Sequence, residues 1–168
     1  EVWVNMTRVQ GVDGTDPRSL SAGEIAARKQ IGDIHKYLVQ YVPGFEKALL
    51  TKVAPFLGIR ETRRIVGQYV LNRDDILGCR RFDDAIAAAS YPTDLHRPNN
   101  TGCTLEWCGD CYDIPYRCLL PQKIDNLLVA GRCISTTHEA MAAIRVMSTC
   151  MATGEAAGRA ARIAVADG

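Results

Sequence analysis

Residues 126–158, NLLVAGRCISTTHEAMAAIRVMSTCMATGEAAG, carry the pattern that decides the fold class of this chain. The run from Leu127 to Ala130 is apolar without interruption and ends at Gly131, which is typical of a strand buried on both faces of a parallel sheet. Ser148 then precedes an alanine-rich helix from Thr149 to Ala166. Because ligands of open α/β sheets gather beyond the carboxyl ends of such strands, this stretch predicts a ligand site.

The start of this helix predicts the charge of that ligand. The first turn of a helix has backbone N–H groups without intrahelical acceptors and the positive end of the helix dipole, which together favour an anion. Gly131 allows the backbone to approach a ligand closely. Many units of strand, glycine and helix are scaffold only, so this pattern leaves a structural role open. Gly154 and Gly158 share one helical face and predict close packing on the sheet.

Upstream of this stretch, local patterns predict an antiparallel sheet with a covering helix. The alternation from Val2 to Thr7 predicts a strand. A capping box at Ser21 and Glu24 predicts a helix that ends before Pro43. Two further β-rich runs predict an antiparallel pair of strands, and they cover residues 52–59 and 63–71.

The middle of the chain predicts shorter elements. Asn72 is expected to cap a short helix, and the alanine-rich run from Asp83 to Ala89 favours another helix. Residues 112–120 are expected to form a strand bent at Pro115. A second capping box, at Thr136 and Glu139, predicts a helix ahead of the last one.

Composition excludes two classes of partner. The 20 Lys and Arg residues balance the 19 Asp and Glu residues to a net charge of +1, so neither nucleic acid nor an anionic membrane surface is expected to bind. No run of about 18 apolar residues is present to span a bilayer. An odd number of cysteines, seven, without a secretory leader favours a reducing, cytoplasmic location.

Four of these cysteines present an alternative site. They are Cys103, Cys108, Cys111 and Cys118. The CxxC pair within them is able to bind zinc or to cycle as a dithiol, although a second CxxC pair is lacking. Unliganded thiols are the favoured interpretation, and a non-catalytic metal-binding or interaction module stays open as the alternative function. A third hypothesis is a remnant that folds without a cofactor.

Residues 126–158 closely resemble the terminal signature of a family of FAD-dependent oxidoreductases in the glutathione-reductase-like flavoprotein superfamily. The segment VNMTRVQGVDGTD within residues 1–28 and the segment GIRETRRIVGQYVL, Gly58 to Leu71, also resemble internal segments of that family. The resemblance therefore spans nearly the whole chain. It implies hydride or electron transfer between bound FAD and a small-molecule substrate that residues 92–111 are expected to help select.

The resemblance also implies roles for particular residues. Gly131 and Arg132 are expected to contact a phosphate or the pyrophosphate of FAD. The backbone of four residues is expected to face the pyrimidine edge of the isoalloxazine, where negative charge accumulates on reduction: Ser148, Thr149, Cys150 and Met151. Cys150 is interpreted as a small packing residue, with a reactive thiolate as the alternative.

His138 and Arg145 are the candidate catalytic residues. Their spacing of seven places them on one face if the residues between them are helical, so both are expected to face one cleft. The ordinary pKa of histidine suits proton exchange with the substrate or the flavin. Arg145 is a candidate for binding a carboxylate substrate or the flavin phosphate.

The resemblance completes the predicted fold class, which is α+β / α/β. Residues 1–120 are expected to form the antiparallel substrate-domain sheet with its covering helix. Residues 121–168 are expected to form the buried strand and long helix of an FAD-binding domain. No GxGxxG fingerprint follows a strand, so the N-terminal FAD-binding segment is expected to be missing and to act as a partner. A homo-oligomer is a further candidate assembly.

Overall fold

The computed structural model describes residues 1–96 and 102–167 and divides the chain into two compact units. Unit 1 comprises Glu1–Thr62, and unit 2 comprises Arg63–Gly168. The structure mixes helices with small antiparallel sheets, so the predicted α+β class is confirmed. The irregular stretch that Pro92, Pro98 and Gly102 predict is in part a strand, Thr93–His96, and residues 97–101 lie outside the described residues.

Unit 1 is built on one long helix, α1 (Pro17–Tyr41). The carboxylate of Asp16 accepts hydrogen bonds from the backbone N–H groups of Arg18 and Ser19, and Pro17 occupies the first helical position. The helix therefore begins four residues before the predicted capping box. Ser21 lies inside the helix, where its hydroxyl donates to the carbonyl of Pro17 at 2.9 Å.

The strands predicted in unit 1 are wrong. Residues 2–7 and 52–59 form no ladder in the described part of the chain. Side chains of α1 instead bind the backbone in or beside these runs. The side-chain amide of Gln30 forms hydrogen bonds with the N–H and the carbonyl of Arg8, and the carboxylate of Glu24 accepts from the N–H of Leu57. Alternating apolar residues need a neighbouring strand, and here helix side chains bind the backbone instead.

Unit 2 contains two antiparallel pairs of strands. The pairs are β1 (Ala85–Ala89) with β4 (Tyr112–Pro115), and β2 (Thr93–His96) with β3 (Cys103–Glu106). The helix predicted over residues 83–89 is wrong, because long-range bonds hold this run extended. The backbone carbonyl of Asp84 accepts from the N–H of Tyr116 at 2.8 Å, and the carboxylate of Asp84 pairs with Arg117 at 3.0 Å. Tertiary pairing therefore overrides the helix propensity of alanine.

Three other strand predictions are corrected in unit 2. The strand expected over residues 112–120 ends at Pro115 and continues as a 3₁₀ turn, Tyr116–Leu119. Residues 63–71 contribute only isolated bridges, Gly67 to Pro121 and Leu71 to Thr136.

The third correction concerns the predicted buried parallel strand. Residues 127–130 are not a strand, and Leu127 is 42% exposed. The N–H of Val129 donates to the carbonyl of Leu119, but no parallel strand lies beside this run among the described residues. A 3₁₀ turn, Gly131–Cys133, follows it. A parallel strand requires parallel neighbours, and this part of the chain does not provide them.

The helices of unit 2 agree better with the sequence. They are α2 (Arg73–Leu77), α3 (His138–Ile144) and α4 (Met147–Asp167). Asn72 caps α2 through the predicted capping geometry, whereas α3 is capped by Thr137 and not by Thr136. Side chains built at Gly154 or Gly158 would meet nothing within 4 Å, so the close packing expected there is absent in the described residues.

Unit 2 has one buried apolar core. Its central members come from α2, β4, α3 and the loops beside them. They are Leu71, Ile76, Cys108, Tyr112, Ile114, Cys118, Leu119, Ile134, Ala140, Met141, Ala143 and Ile144. None of the described helices is long and apolar enough to cross a membrane.

Candidate functional site

A cleft of about 380 Å³ lies in unit 2 between the end of β1, the loop that follows it and the first turns of α4. Its nine lining residues are Ala88, Ala89, Ser90, Tyr91, Pro92, Trp107, Ser148, Thr149 and Ala152. Alanine and aromatic side chains give the cleft an apolar wall, and hydroxyl groups lie at the helix end. Its volume is at the lower end of the range for sites of drug-sized ligands, so it suits one part of a dinucleotide.

The N-terminus of α4 forms the polar side of this cleft. The carbonyl of Val146 accepts from the N–H of Cys150 at 3.0 Å, so the N–H groups of Ser148 and Thr149 precede the intrahelical bonds of α4. Both residues line the cleft, and Thr149 is buried. These N–H groups and the helix dipole favour negative charge at this end of the helix, and an anion bound there stays a prediction.

Cys150 and Met151, the other two residues predicted to face the flavin, do not line the cleft. The side chain of Met151 is 74% exposed. Burial raises the pKa of the Cys150 thiol, and the opposing charge of Arg132 is a smaller effect. The raised pKa favours the packing interpretation of Cys150 over a reactive thiolate. Backbone contacts of both residues with FAD stay predictions.

Gly131 begins a turn that is tied to α4. Its backbone has a φ of +75°, which glycine adopts without strain, and its N–H donates to the hydroxyl of Thr153 at 3.0 Å. That hydroxyl donates in turn to the carbonyl of Cys150 at 2.9 Å. The neighbouring Arg132 is exposed, with its charge near Cys150. The phosphate contacts of Gly131 and Arg132 stay predictions, and the structure adds Thr153 as the residue that fixes this turn.

His138 and Arg145 lie at the two ends of α3, and a cleft shared by both side chains stays a prediction. His138 is exposed at the first position of α3, whereas α3 ends at Ile144 and Arg145 caps it. The guanidinium of Arg145 donates to the carbonyl and the carboxylate of Asp94 at 3.1 and 3.3 Å. Neither residue lines the cleft. Arg145 therefore joins α3 to β2, and the catalytic roles of both residues stay predictions.

His138 does influence the carboxylate beside it. The pKa of Glu139 is lowered, first by a hydrogen bond from its own backbone N–H, then by a bond with Thr137, and to a lesser extent by the His138 charge. Glu139 thus carries its negative charge at the N-terminal turn of α3, where the helix dipole favours it.

The four cysteines of the alternative site have separate surroundings: Cys103, Cys108, Cys111 and Cys118. Cys103 donates to Asp94, and Arg81 donates to the sulfur of Cys111 at 2.8 Å. Complete burial raises the pKa of Cys118 to about 12. Across residues 1–96 and 102–167, no group of three or more Cys, His, Asp or Glu side chains is arranged to hold a metal ion. The metal-binding module therefore has no support.

Sequence reasoning missed one wall of the cleft. Trp107 directly follows β3 and is exposed, and Tyr91 lines the same cleft from the loop after β1. A lone tryptophan in a polar, cysteine-rich loop was the available signal. Also missed were three buried hydroxyls that have no hydrogen-bond partner in the described part of the chain: Thr93, Ser135 and Thr136.

A family model described as FAD dependent oxidoreductase matches residues 1–168, the whole chain. The chain belongs to this family. No curated protein and no solved structure gives a significant match. Members of the FAD dependent oxidoreductase family use FAD as the cofactor, which confirms the predicted cofactor for the family.

The cleft of this family member has donors that fit part of the cofactor. A flavin is planar and largely apolar, with polar atoms along the pyrimidine edge, where reduction places negative charge. Trp107 and Tyr91 offer aromatic surface, while Ser148 and Thr149 offer backbone N–H groups and hydroxyls. The chemistry of the donor set therefore suits the isoalloxazine.

Proposed function

We propose that unit 2 supplies one wall of an FAD site, with the isoalloxazine in the cleft between Trp107 and the N-terminus of α4. The observation that carries this proposal is that Ser148 and Thr149 both line the cleft at the positive end of the helix. In this arrangement their N–H groups stabilise negative charge on the pyrimidine edge. The FAD dependent oxidoreductase family provides the cofactor identity.

The proposed reaction is hydride or electron transfer between the flavin and an unidentified small-molecule substrate. When bound, FAD supplies the electron-accepting ring system of this reaction. The chain supplies orientation through the aromatic surface of Trp107 and electrostatic stabilisation through α4. The turn at Gly131 and Arg132 is proposed to contact the phosphates, with Thr153 holding its backbone in place.

Other parts of the predicted function are retained as proposals. His138 is the proposed proton carrier, since it is exposed to solvent and bears a titratable ring. Arg145 is proposed to act by positioning, through Asp94, and not by contact with the flavin. An N-terminal segment with a dinucleotide fingerprint, membership of the glutathione-reductase-like superfamily, homo-oligomerisation and a cytoplasmic location also stay proposals.

The fluorescence of Trp107 tests directly whether FAD binds in the cleft. The chain has two tryptophans, so the Trp3→Phe variant leaves Trp107 as the single reporter. FAD titrated onto this variant is expected to quench the emission of Trp107 with a saturable curve. A further Ser148→Phe substitution fills the cleft and is expected to weaken FAD binding at least about tenfold, equivalent to about 1.4 kcal/mol.

The matched control is Ala161→Phe, which adds a ring to an exposed position of the same helix away from the cleft. Its binding curve is expected to match that of the Trp3→Phe parent. Quenching that is equally weakened by both phenylalanine variants would show that this cleft does not hold the flavin.

A further inference from the structure

A second space in unit 2 adjoins the cleft. It is a groove of about 480 Å³ that lies between β1 and α4. The cleft and the groove share two lining residues, Ala88 and Ala152, so the groove begins where the cleft ends. A molecule bound in the groove would therefore be the direct neighbour of a flavin bound in the cleft.

The walls of the groove are apolar and held in place by the core. Ile86, Ala87 and Tyr116 line the groove, and all three pack against the buried core of unit 2. Small side chains spaced by four residues on α4 leave the space opposite them. They are Ala152, Ala156 and Ala160. Because these walls are already in place, a ligand would bind with little cost of ordering the protein.

The charged side chains that line the groove balance each other. The guanidinium of Arg159 donates to the carboxylate of Glu155 at 2.6 Å. These side chains are 78% and 63% exposed, so both charges stay in contact with solvent. A charged ligand would lose hydration in the groove without gaining an unpaired partner. The groove therefore suits an uncharged molecule.

Tyr116 adds a polar group to the apolar walls. Its backbone N–H donates to the carbonyl of Asp84, whereas its hydroxyl forms no hydrogen bond with the described residues. A phenol is able to donate one hydrogen bond and to accept another. Apolar walls with few polar groups are typical of small-molecule sites, in which the polar group sets the orientation of the ligand.

We propose that this groove binds the substrate, an uncharged aromatic or alicyclic molecule whose hydroxyl or carbonyl group forms a hydrogen bond with Tyr116. The volume of the groove lies within the range of small-molecule sites and leaves room for fused rings. The role of this molecule as the substrate rests on the proposed function, because it requires a flavin in the adjoining cleft. Binding in the groove itself requires no flavin.

Equilibrium dialysis of the complete chain without FAD tests the groove. The probe is 2-naphthol, which is uncharged at neutral pH and carries one hydroxyl on two fused rings. Its binding is expected to be saturable, and Ala156→Phe is expected to weaken it at least about tenfold by filling the groove. The matched control is Ala161→Phe, the same change at an exposed position of α4 outside the groove, and it should bind 2-naphthol as the natural chain does.

A second pair of measurements tests the role of Tyr116. Tyr116→Phe removes only the hydroxyl, so it is expected to weaken the binding of 2-naphthol about fivefold. The binding of 2-methylnaphthalene, which has a methyl group in place of the hydroxyl, is expected to be unchanged in this variant. The absence of saturable 2-naphthol binding, equal weakening by Ala156→Phe and Ala161→Phe, or an equal effect of Tyr116→Phe on both probes would overturn the proposal.

The flavin and the groove are tested separately. In the Trp3→Phe background, Ala156→Phe should leave the quenching of Trp107 by FAD unchanged, and Ser148→Phe should leave 2-naphthol binding unchanged, because each residue lines one space and not the other. Failure of the flavin proposal would leave the 2-naphthol measurements unaffected. Saturating 2-naphthol that competes with FAD for quenching of Trp107 would place the probe in the cleft and overturn the groove proposal.

Discussion

In unit 2 twelve buried residues form one core, whereas in unit 1 Ala27 is the single buried apolar side chain. Large apolar side chains of unit 1 such as Trp3 and Phe56 are exposed. Unit 1 depends instead on a long capped helix whose polar side chains bind the backbone of the adjoining segments. The difference teaches that good local signals produce a helix without producing a core, because a core requires several elements to bury one another.

The largest expected effect contrasts one substitution in the two units. Ile114 is completely buried in β4, so Ile114→Ala should lower the free energy of unfolding of unit 2 by about 4 kcal/mol. Ile25 lies on α1 and is 58% exposed, so Ile25→Ala should change stability by less than about 0.5 kcal/mol. Hydrogen exchange resolved by peptide mass spectrometry measures the two units separately. Equal effects in both units would break the comparison.

A smaller effect on stability is expected in unit 2 at alkaline pH. This unit contains all seven cysteines. Burial raises the pKa of Cys118 from 9.0 to about 12, so the unfolded chain loses this proton first as the pH rises. The free energy of unfolding that this pKa shift contributes is fully present below about pH 9 and is lost progressively towards pH 12. At pH 11 the ionisation of this thiol should have lowered the free energy of unfolding by about 3 kcal/mol.

Denaturant unfolding followed by circular dichroism between pH 8 and 11 measures this loss. Cys118→Ala should be less stable near neutral pH, because it leaves a small cavity, but its stability should fall less steeply with rising pH. Cys133→Ala removes an exposed cysteine of the same unit and serves as the control. A pH dependence that is identical in the natural chain and Cys118→Ala would refute the assignment.

The smallest expected effects come from the helix caps and sharpen the comparison. Asp16→Ala and Asn72→Ala each remove a side chain that accepts hydrogen bonds from two backbone N–H groups, at a cost of about 1 kcal/mol. In unit 1 the loss should appear as faster hydrogen exchange along α1. In unit 2 it should lower the midpoint of the cooperative transition, because α2 packs into the core through Ile76. Local fraying in both units would contradict this distinction.

Local chemistry explains which structural predictions succeeded. Asn72 was identified as a cap, and α4 was identified from its alanine-rich run, because caps and helix periods involve residues a few positions apart. The start of α1 was misplaced because two capping signals, at Asp16 and Ser21, stand close together. Part of the site was also predictable, since Ser148 and Thr149 belong to the start of a helix.

Long-range contacts explain the failures. The alanine-rich run from Ala85 to Ala89 is a strand because Asp84 and β4 hold it extended, and its local propensity gives no sign of these partners. Residues 127–130 have the composition of a buried strand but lack parallel neighbours in the described residues. No local pattern indicated that Arg145, which caps α3, binds Asp94.

The sequence by itself determined that this chain is a member of the FAD dependent oxidoreductase family, because residue identities along residues 126–158 specify a family even where they mislead about a strand. It also determined the helices whose caps and periods are local. Only the tertiary structure decided that Trp107 and Ser148 line the same cleft and that Arg145 binds Asp94. Such pairs are brought together by the burial of a shared core, which no local pattern encodes.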